Sequence, residues 1–255
     1  MNALKKLVMS INRRYLGNIL GKFDENQKLS SFENELGYKI TTYYSKNMAD
    51  DVAKLCDLYG SDKGEIKQAG HPYTWASHTY ADYYSTLFSH CRSNVKKVFE
   101  CGLGTNNPEL LSSMGANGKP GASLRVWRDY FPNAIIYGAD IDKDVLFEED
   151  RIKTFYMDQL NPQSIRDYWG NLGEDNFDFM LDDGLHTFEA GSTLFSNSID
   201  KLSKFGVYVI EDVFLDDLFK YKEFFNKTSY SINYVTLNRP NLSLGDNNLV
   251  IIRKN

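Results

Sequence analysis

"VKKVFECGLGTNN", residues 95 to 107, runs from β-branched and aromatic residues into an acid, a cysteine and a glycine-bearing turn. The first seven residues read as a buried strand. Glycines at 102 and 104 let the backbone of the turn approach a ligand closely. Outward from this stretch the chain alternates. "SLRVWRDYF" (123–131) has helical apolar spacing and is stopped by Pro132-Asn133; "AIIYGAD" (134–140) and "IKTFYMD" (152–158) read as strands. Asn161-Pro162 open a helix toward Trp169, "FDFML" (177–181) is a strand, and 187–202 is helical. "GVYVIED" (206–212) is a strand and 215–225 a helix; "YSINYVTL" (230–237) and "NNLVIIRK" (247–254) close the chain through a Pro/Gly-bearing loop. This order predicts an α/β class: a doubly wound, seven-stranded, mostly parallel sheet with an antiparallel C-terminal hairpin.

In such sheets ligands bind beyond the carboxyl ends of the strands. Each of the first five predicted strands ends in acid: Glu100, Asp140, Asp158, Asp182-Asp183 and Glu211-Asp212. Taken singly, Glu100 or Asp140 reads equally as a satisfied turn carboxylate. Five repetitions at one sheet edge are not expected from turn chemistry alone.

The bulk numbers bound the function. The 255 residues are 42% hydrophobic, enough for a real core, and the net charge of −5 gives no general attraction to nucleic acid or anionic lipid. Cys56, Cys91 and Cys101 form no CxxC pair, which fits buried thiols in a reducing, cytoplasmic setting. No apolar run is long enough for an integral membrane segment. The basic start, "MNALKKLVMSINRRYLGNIL", lacks the pattern of a signal peptide. It reads either as a docking helix in a homo-oligomer or as an amphipathic helix peripheral to a membrane.

Residues 1–94 are expected to form a helical N-terminal extension and 95–255 a ligand-binding domain. Within the extension, residues 58–88 are dense in Tyr, His and Trp. They read either as helix and loop packed on the sheet or as a substrate-facing lid. In the lid reading His71, Tyr73, His78 and Tyr80 are the candidate substrate contacts.

The glycine turn is a poor dinucleotide fingerprint, since the third glycine position holds Asn107 and a loop runs on to Gly121. Acid near that turn repels phosphate and welcomes a cationic amine and ribose hydroxyls. S-adenosylmethionine (SAM) carries both groups with no phosphate. Asp140 stands where a ribose-binding carboxylate belongs, and Asp158 and Gln159 are placed for the adenine. Glu100, Gly102, Asn106, Ser123, Arg125 and Asp182 complete the candidate cofactor set; Asp182 also reads as a turn cap and Arg125 as a loop brace.

The pieces "LYGSDKG", "ECGLGTNN", "SLRVWRDYFPNAIIYGADID", "DQ", "LDDGLH" and "VIED" together resemble class I SAM-dependent methyltransferases. More narrowly, they resemble the metal-dependent sugar O-methyltransferases of the macrolide-tailoring type. The resemblance runs from about residue 55 to 253 and departs at Thr105-Asn106-Asn107, where a third glycine is missing.

Methyl transfer to an aliphatic hydroxyl needs a base or a metal, because such a hydroxyl is hardly ionised at neutral pH. Asp183, Glu211 and Asp212 offer hard oxygen ligands on neighbouring strand tips, suited to Mg²⁺, with Mn²⁺ or Ca²⁺ as alternatives. His186, on the same turn as Asp183, is the candidate general base. The resemblance implies the same ligands and the same base. The expected reaction is methyl transfer to a small hydroxylated molecule, a sugar or nucleotide-activated sugar of surface-polysaccharide or natural-product biosynthesis. A phosphate-type oxygen or catechol acceptor, a metal-dependent hydrolase and a non-catalytic SAM-fold module remain as alternatives.

Overall fold

A computed structural model describes residues 41–42, 50–67, 71–73, 75–237 and 245–255. The helical character expected for the first forty residues lies outside these. The strands are β1 (Thr41–Thr42), β2 (Lys97–Cys101), β3 (Ile135–Asp140), β4 (Glu148–Glu149), β5 (Ile152–Tyr156), β6 (Phe177–Asp182), β7 (Leu202–Ile210), β8 (Ser231–Thr236) and β9 (Asn248–Arg253). The helices are α1 (Asp51–Tyr59), α2 (Tyr80–Phe88), α3 (Ala122–Tyr130), α4 (Pro162–Leu172), α5 (Phe188–Ser196) and α6 (Leu215–Phe225).

The strands form one sheet in the order β1-β8-β9-β7-β6-β2-β3-β5-β4. The centre, β7-β6-β2-β3-β5, is parallel throughout, and β9 lies antiparallel between β7 and β8. The seven expected strands are all present. Two more, β1 and β4, extend the edges with two residues each. Neither is long enough to leave a periodic signal in the sequence.

Local chemistry sets the helix limits. Asp50 caps α1 by accepting from the Ala53 N–H at 2.8 Å, and Gly60 ends it with φ 79°. Asn161 caps α4, Pro162 fills its first turn and Gly173 closes it at φ 66°. The helix expected over 187–202 stops at Ser196. A single 3₁₀ turn, Ile199–Lys201, then leads into β7, which begins at Leu202 rather than at Gly206.

Two apolar layers sandwich the sheet. On one face α1, α2 and α3 pack over Val98, Ile136, Phe179 and Val209; on the other α4, α5 and α6 cover Phe99, Tyr137, Met180 and Tyr208. The first layer centres on Phe179, whose ring meets Trp127 edge-on at 5.4 Å and Phe88 at 4.8 Å. Truncating a fully buried Phe of this kind costs about 3–5 kcal/mol. Because α1 and α2 belong to this core, residues 60–63 and Tyr73, Trp75 and His78 between them are held over the carboxyl edge of the sheet.

Candidate active site

A cleft enclosing about 1180 Å³ of empty space, counted out to solvent, opens at that edge. Its floor comes from the β2 turn (Gly102–Gly104), the end of β3 (Asp140), residues 157–160, the 183–186 turn and Glu211-Asp212. Its roof comes from residues 60–63 and from Tyr73, Trp75, His78 and Tyr80.

On one side of the floor, the Asp140 carboxylate accepts from the Leu103 N–H at 2.7 Å and the Asp142 N–H at 2.8 Å. Burial raises its pKa, and the N–H groups of Asp142 and Leu103 work against that. Gly102 has φ 95°, and a Cβ there would lie 2.0 Å from the Asp183 carbonyl oxygen. The close passage of two strand tips therefore demands glycine. Ser123, Asp158 and Gln159 line the cleft. Gln159 donates to Asp182 at 2.6 Å and accepts from the Leu185 N–H at 3.0 Å, while Asp158 caps the turn before α4 through the Leu160 N–H at 3.0 Å.

The remaining residues of the expected cofactor set lie behind the wall. Glu100 is fully buried and accepts from Ser123 at 2.7 Å and from the Trp127 indole at 2.6 Å; burial pushes its pKa up to about 7, against the pull of Lys63. Asn106 closes its own loop by donating to the Gly115 and Gly118 carbonyls. Arg125 pairs with Glu149 at 2.6 Å and donates to the Pro120 carbonyl, bracing the loop end without facing the cleft. Asp182 is buried beneath its turn, with its pKa pushed by burial up to about 6.

On the other side, Asp183, His186 and Asp212 each present a ligand-type atom within 4.8 Å of the others. His186 Nδ1 is buried without a hydrogen-bond partner and lies 3.6 Å from Asp212 Oδ2. His186 (φ 55°) and Asp212 (φ 52°) both adopt left-handed backbone, at about 1–3 kcal/mol each for non-glycine residues. Two hard oxygens and an imidazole converging on one point can hold a divalent cation or move a proton beside one.

Glu211 does not join that group. Its carboxylate is held by the Tyr84 hydroxyl at 2.6 Å and by the ammonium of Lys63. Lys63 also bonds Asp183 Oδ2 at 2.6 Å and stands 3.5 Å from Glu100. Burial opposes the lysine's charge, yet Asp183, Glu211 and Glu100 raise its pKa well above the ordinary value. Sequence reasoning did not single out Lys63 or Tyr84. The available signal was a lone lysine between Asp62 and Gly64, and Gly64 is needed because a Cβ there would meet the Ala81 Cβ at 2.4 Å.

In the roof, Tyr73 and Trp75 stack at 5.1 Å and the Trp75 indole donates to Asp62 at 2.7 Å. His78 stacks on Tyr80 at 4.7 Å, and the Tyr80 hydroxyl donates to Asp212 at 2.7 Å. His78 is buried, which opposes its charge, but Asp212 and Asp246 lift its pKa to about 10. His71 is not on the cleft wall; it is fixed between Asp57, at 2.8 Å, and the Tyr73 hydroxyl.

As a whole the fold superposes on solved methyltransferases. The fold is that of the class I methyltransferases. The mycinamycin-pathway methyltransferase MycE, solved with Mg, SAH and mycinamycin VI, superposes with a TM-score of 0.56 at 22% identity, covering 80% of this chain and 54% of that one. Among curated proteins, the demethylmacrocin O-methyltransferase of Streptomyces fradiae is 33% identical over 178 residues, covering 68% of this chain and 42% of its own length. The tetracenomycin-C rhamnosyl 2'-O-methyltransferase of Streptomyces olivaceus is 32% identical over 162 residues (64% and 37%). The mycinamicin VI 2''-O-methyltransferase of Micromonospora griseorubida is 31% identical over 186 residues (71% and 44%). The chain spans less than half the length of these curated relatives. No family model matches it. Among the described residues no helix is long and apolar enough to cross a membrane.

Proposed function

We propose that this chain is a SAM-dependent, divalent-metal-dependent O-methyltransferase acting on a sugar hydroxyl. The observation that carries the reading is the juxtaposition, in one cleft, of the Gly102–Asp140 floor with the Asp183–His186–Asp212 group. The relatives support it: those named above are O-methyltransferases of a rhamnosyl tetracenomycin-C, of demethylmacrocin and of mycinamicin VI, and MycE was solved with Mg and SAH.

In this reading Asp140 takes the ribose hydroxyls and the Gly102 turn admits the methionine end of SAM. Asp183 and Asp212 would hold the metal, and Glu211, held by Lys63 and Tyr84 in this structure, would join as the third carboxylate only on release from Lys63. The donor set fits, because its oxygens are hard and the unpartnered His186 Nδ1 stands beside them. A divalent cation held there would lower the pKa of an acceptor hydroxyl. His186 accepts the hydroxyl proton as the new O–CH₃ bond forms and the S–CH₃ bond of the sulfonium breaks. Tyr73, Trp75 and His78, in the 1–94 segment, form the acceptor wall, their rings suited to the apolar face of a deoxysugar. The free thiols Cys56 and Cys101 are buried, which supports a cytoplasmic setting. The acceptor is a sugar or nucleotide-activated sugar destined for a natural product or a surface polysaccharide.

Incubation with methyl-labelled SAM, MgCl₂ and a panel of deoxysugars and nucleotide sugars tests this. Transfer of label that is lost with EDTA and in His186→Gln supports the reading. Label transfer indifferent to both contradicts it.

A further inference from the structure

The acids of the cleft have an occupant supplied by the chain itself. The Lys63 ammonium is 3% exposed, 2.6 Å from Asp183 Oδ2, in contact with Glu211 and 3.5 Å from Glu100. Its reach is built into the backbone: the Lys63 carbonyl accepts from the Ala81 N–H at 2.8 Å and the neighbouring Asp62 carbonyl from the His78 N–H at 2.8 Å. Glu100 and Glu211, at 0% and 1% exposure, both lie against this one ammonium, and carboxylates buried so deeply stay charged only when paired.

We propose that Lys63 is a tethered counter-cation that competes with the divalent metal for Asp183 and Glu211, so that the site is held together without metal and binds metal reversibly. This rests on the metal site assigned under the proposed function. A fixed positive charge within a few ångströms of a second cation in a partly buried site repels it strongly. The same charge balances the acids when no ion is bound, so folding does not depend on metal. Lys63 is thus a positioning residue that sets cation affinity and couples the buried acid of β2 to the acids of β6 and β7.

The test is titration of MnCl₂, followed by the resonance of the free ion, and of MgCl₂ by calorimetry, into chelator-treated parent, Lys63→Met and Lys63→Arg. The double variant Lys63→Met/Glu100→Gln is included because it removes the buried acid that Lys63→Met alone would strand. Thermal melting with and without metal, and SAM titration, accompany each. The expected result is metal affinity raised on the order of tenfold or more in Lys63→Met and in the double variant, and close to parental in Lys63→Arg. The metal-induced rise in melting temperature should be larger in Lys63→Met than in the parent. If the parent binds metal and the methionine variants bind it equally or more weakly, the competition is overturned. If no protein of the series binds metal while SAM still binds, the metal assignment itself is wrong and the present inference falls with it.

Discussion

The Tyr80 hydroxyl donates to Asp212 Oδ1 at 2.7 Å, and the Asp212 N–H donates to the same phenolic oxygen at 3.2 Å. One side chain of α2 therefore holds both the carboxylate and the left-handed backbone of a residue beyond the end of β7. Tyr80→Phe leaves a buried carboxylate short of a donor, at about 1–3 kcal/mol. Urea unfolding should register that loss, and Mg²⁺ affinity should fall as Asp212 relaxes. An unchanged unfolding midpoint would mean that something else pins Asp212.

Gly102 and Gly115 separate crowding from conformational cost. Both have positive φ, at 95° and 75°, but a Cβ at 102 meets the Asp183 backbone at 2.0 Å whereas one at 115 meets nothing within 4 Å. Gly115→Ala should cost about 1–2 kcal/mol from its backbone conformation alone. Gly102→Ala must move two strand tips apart, so it should cost more than about 4 kcal/mol and abolish SAM binding. Equal losses in denaturant melts would contradict the close approach.

Asp140 gives a signed pH dependence. Its pKa is raised, chiefly by burial. The stability it contributes is therefore present below the ordinary carboxylate value, near pH ~3.9, and is lost as pH rises through the raised folded value. SAM binding runs the other way, because the ribose hydroxyls need the carboxylate as acceptor. As pH falls, SAM affinity should begin to weaken above the ordinary carboxylate range, and Asp140→Asn should flatten that limb. Calorimetric SAM titrations across the acid range, with parent and variant side by side, read this out. A parent affinity that is flat down to pH ~4 would remove Asp140 from the ribose site.

Trp75 lines the cleft, stacked on Tyr73 and tied to Asp62. Trp75→Ala should raise acceptor KM about tenfold or more while SAM affinity changes little, given the area a Trp buries against a ligand. Steady-state kinetics on an acceptor found in the panel, with SAM titration as the control, decide it. Weaker SAM binding with unaltered acceptor KM would place Trp75 on the cofactor side instead.

The sheet was legible because its signals are local and repeated: apolar runs ending in acid, Asn161-Pro162 before a helix, Gly173 after it. The acids around the cleft were legible for the same reason. Which of those acids face the cleft was not, since Glu100 and Asp182 differ from Asp140 and Asp183 by packing beneath the strand tips. Asn106 likewise spends its donors on its own loop, and Arg125 spends its on Glu149 and the Pro120 carbonyl, a matter of three-dimensional closure that spacing cannot encode. Lys63 escaped because its partners, Glu100, Asp183 and Glu211, are far away in sequence and meet it only once α1 and α2 have docked. Residues 43–49 and 238–244, within or beside predicted elements, lie outside the described structure.

The most direct test of the account is calorimetric titration of SAM and then MgCl₂ into chelator-treated parent and Asp183→Ala. The account predicts that SAM binds both proteins and that Mg²⁺ binds the parent alone. Failure of the parent to bind SAM, or Mg²⁺ binding undiminished in Asp183→Ala, would contradict it.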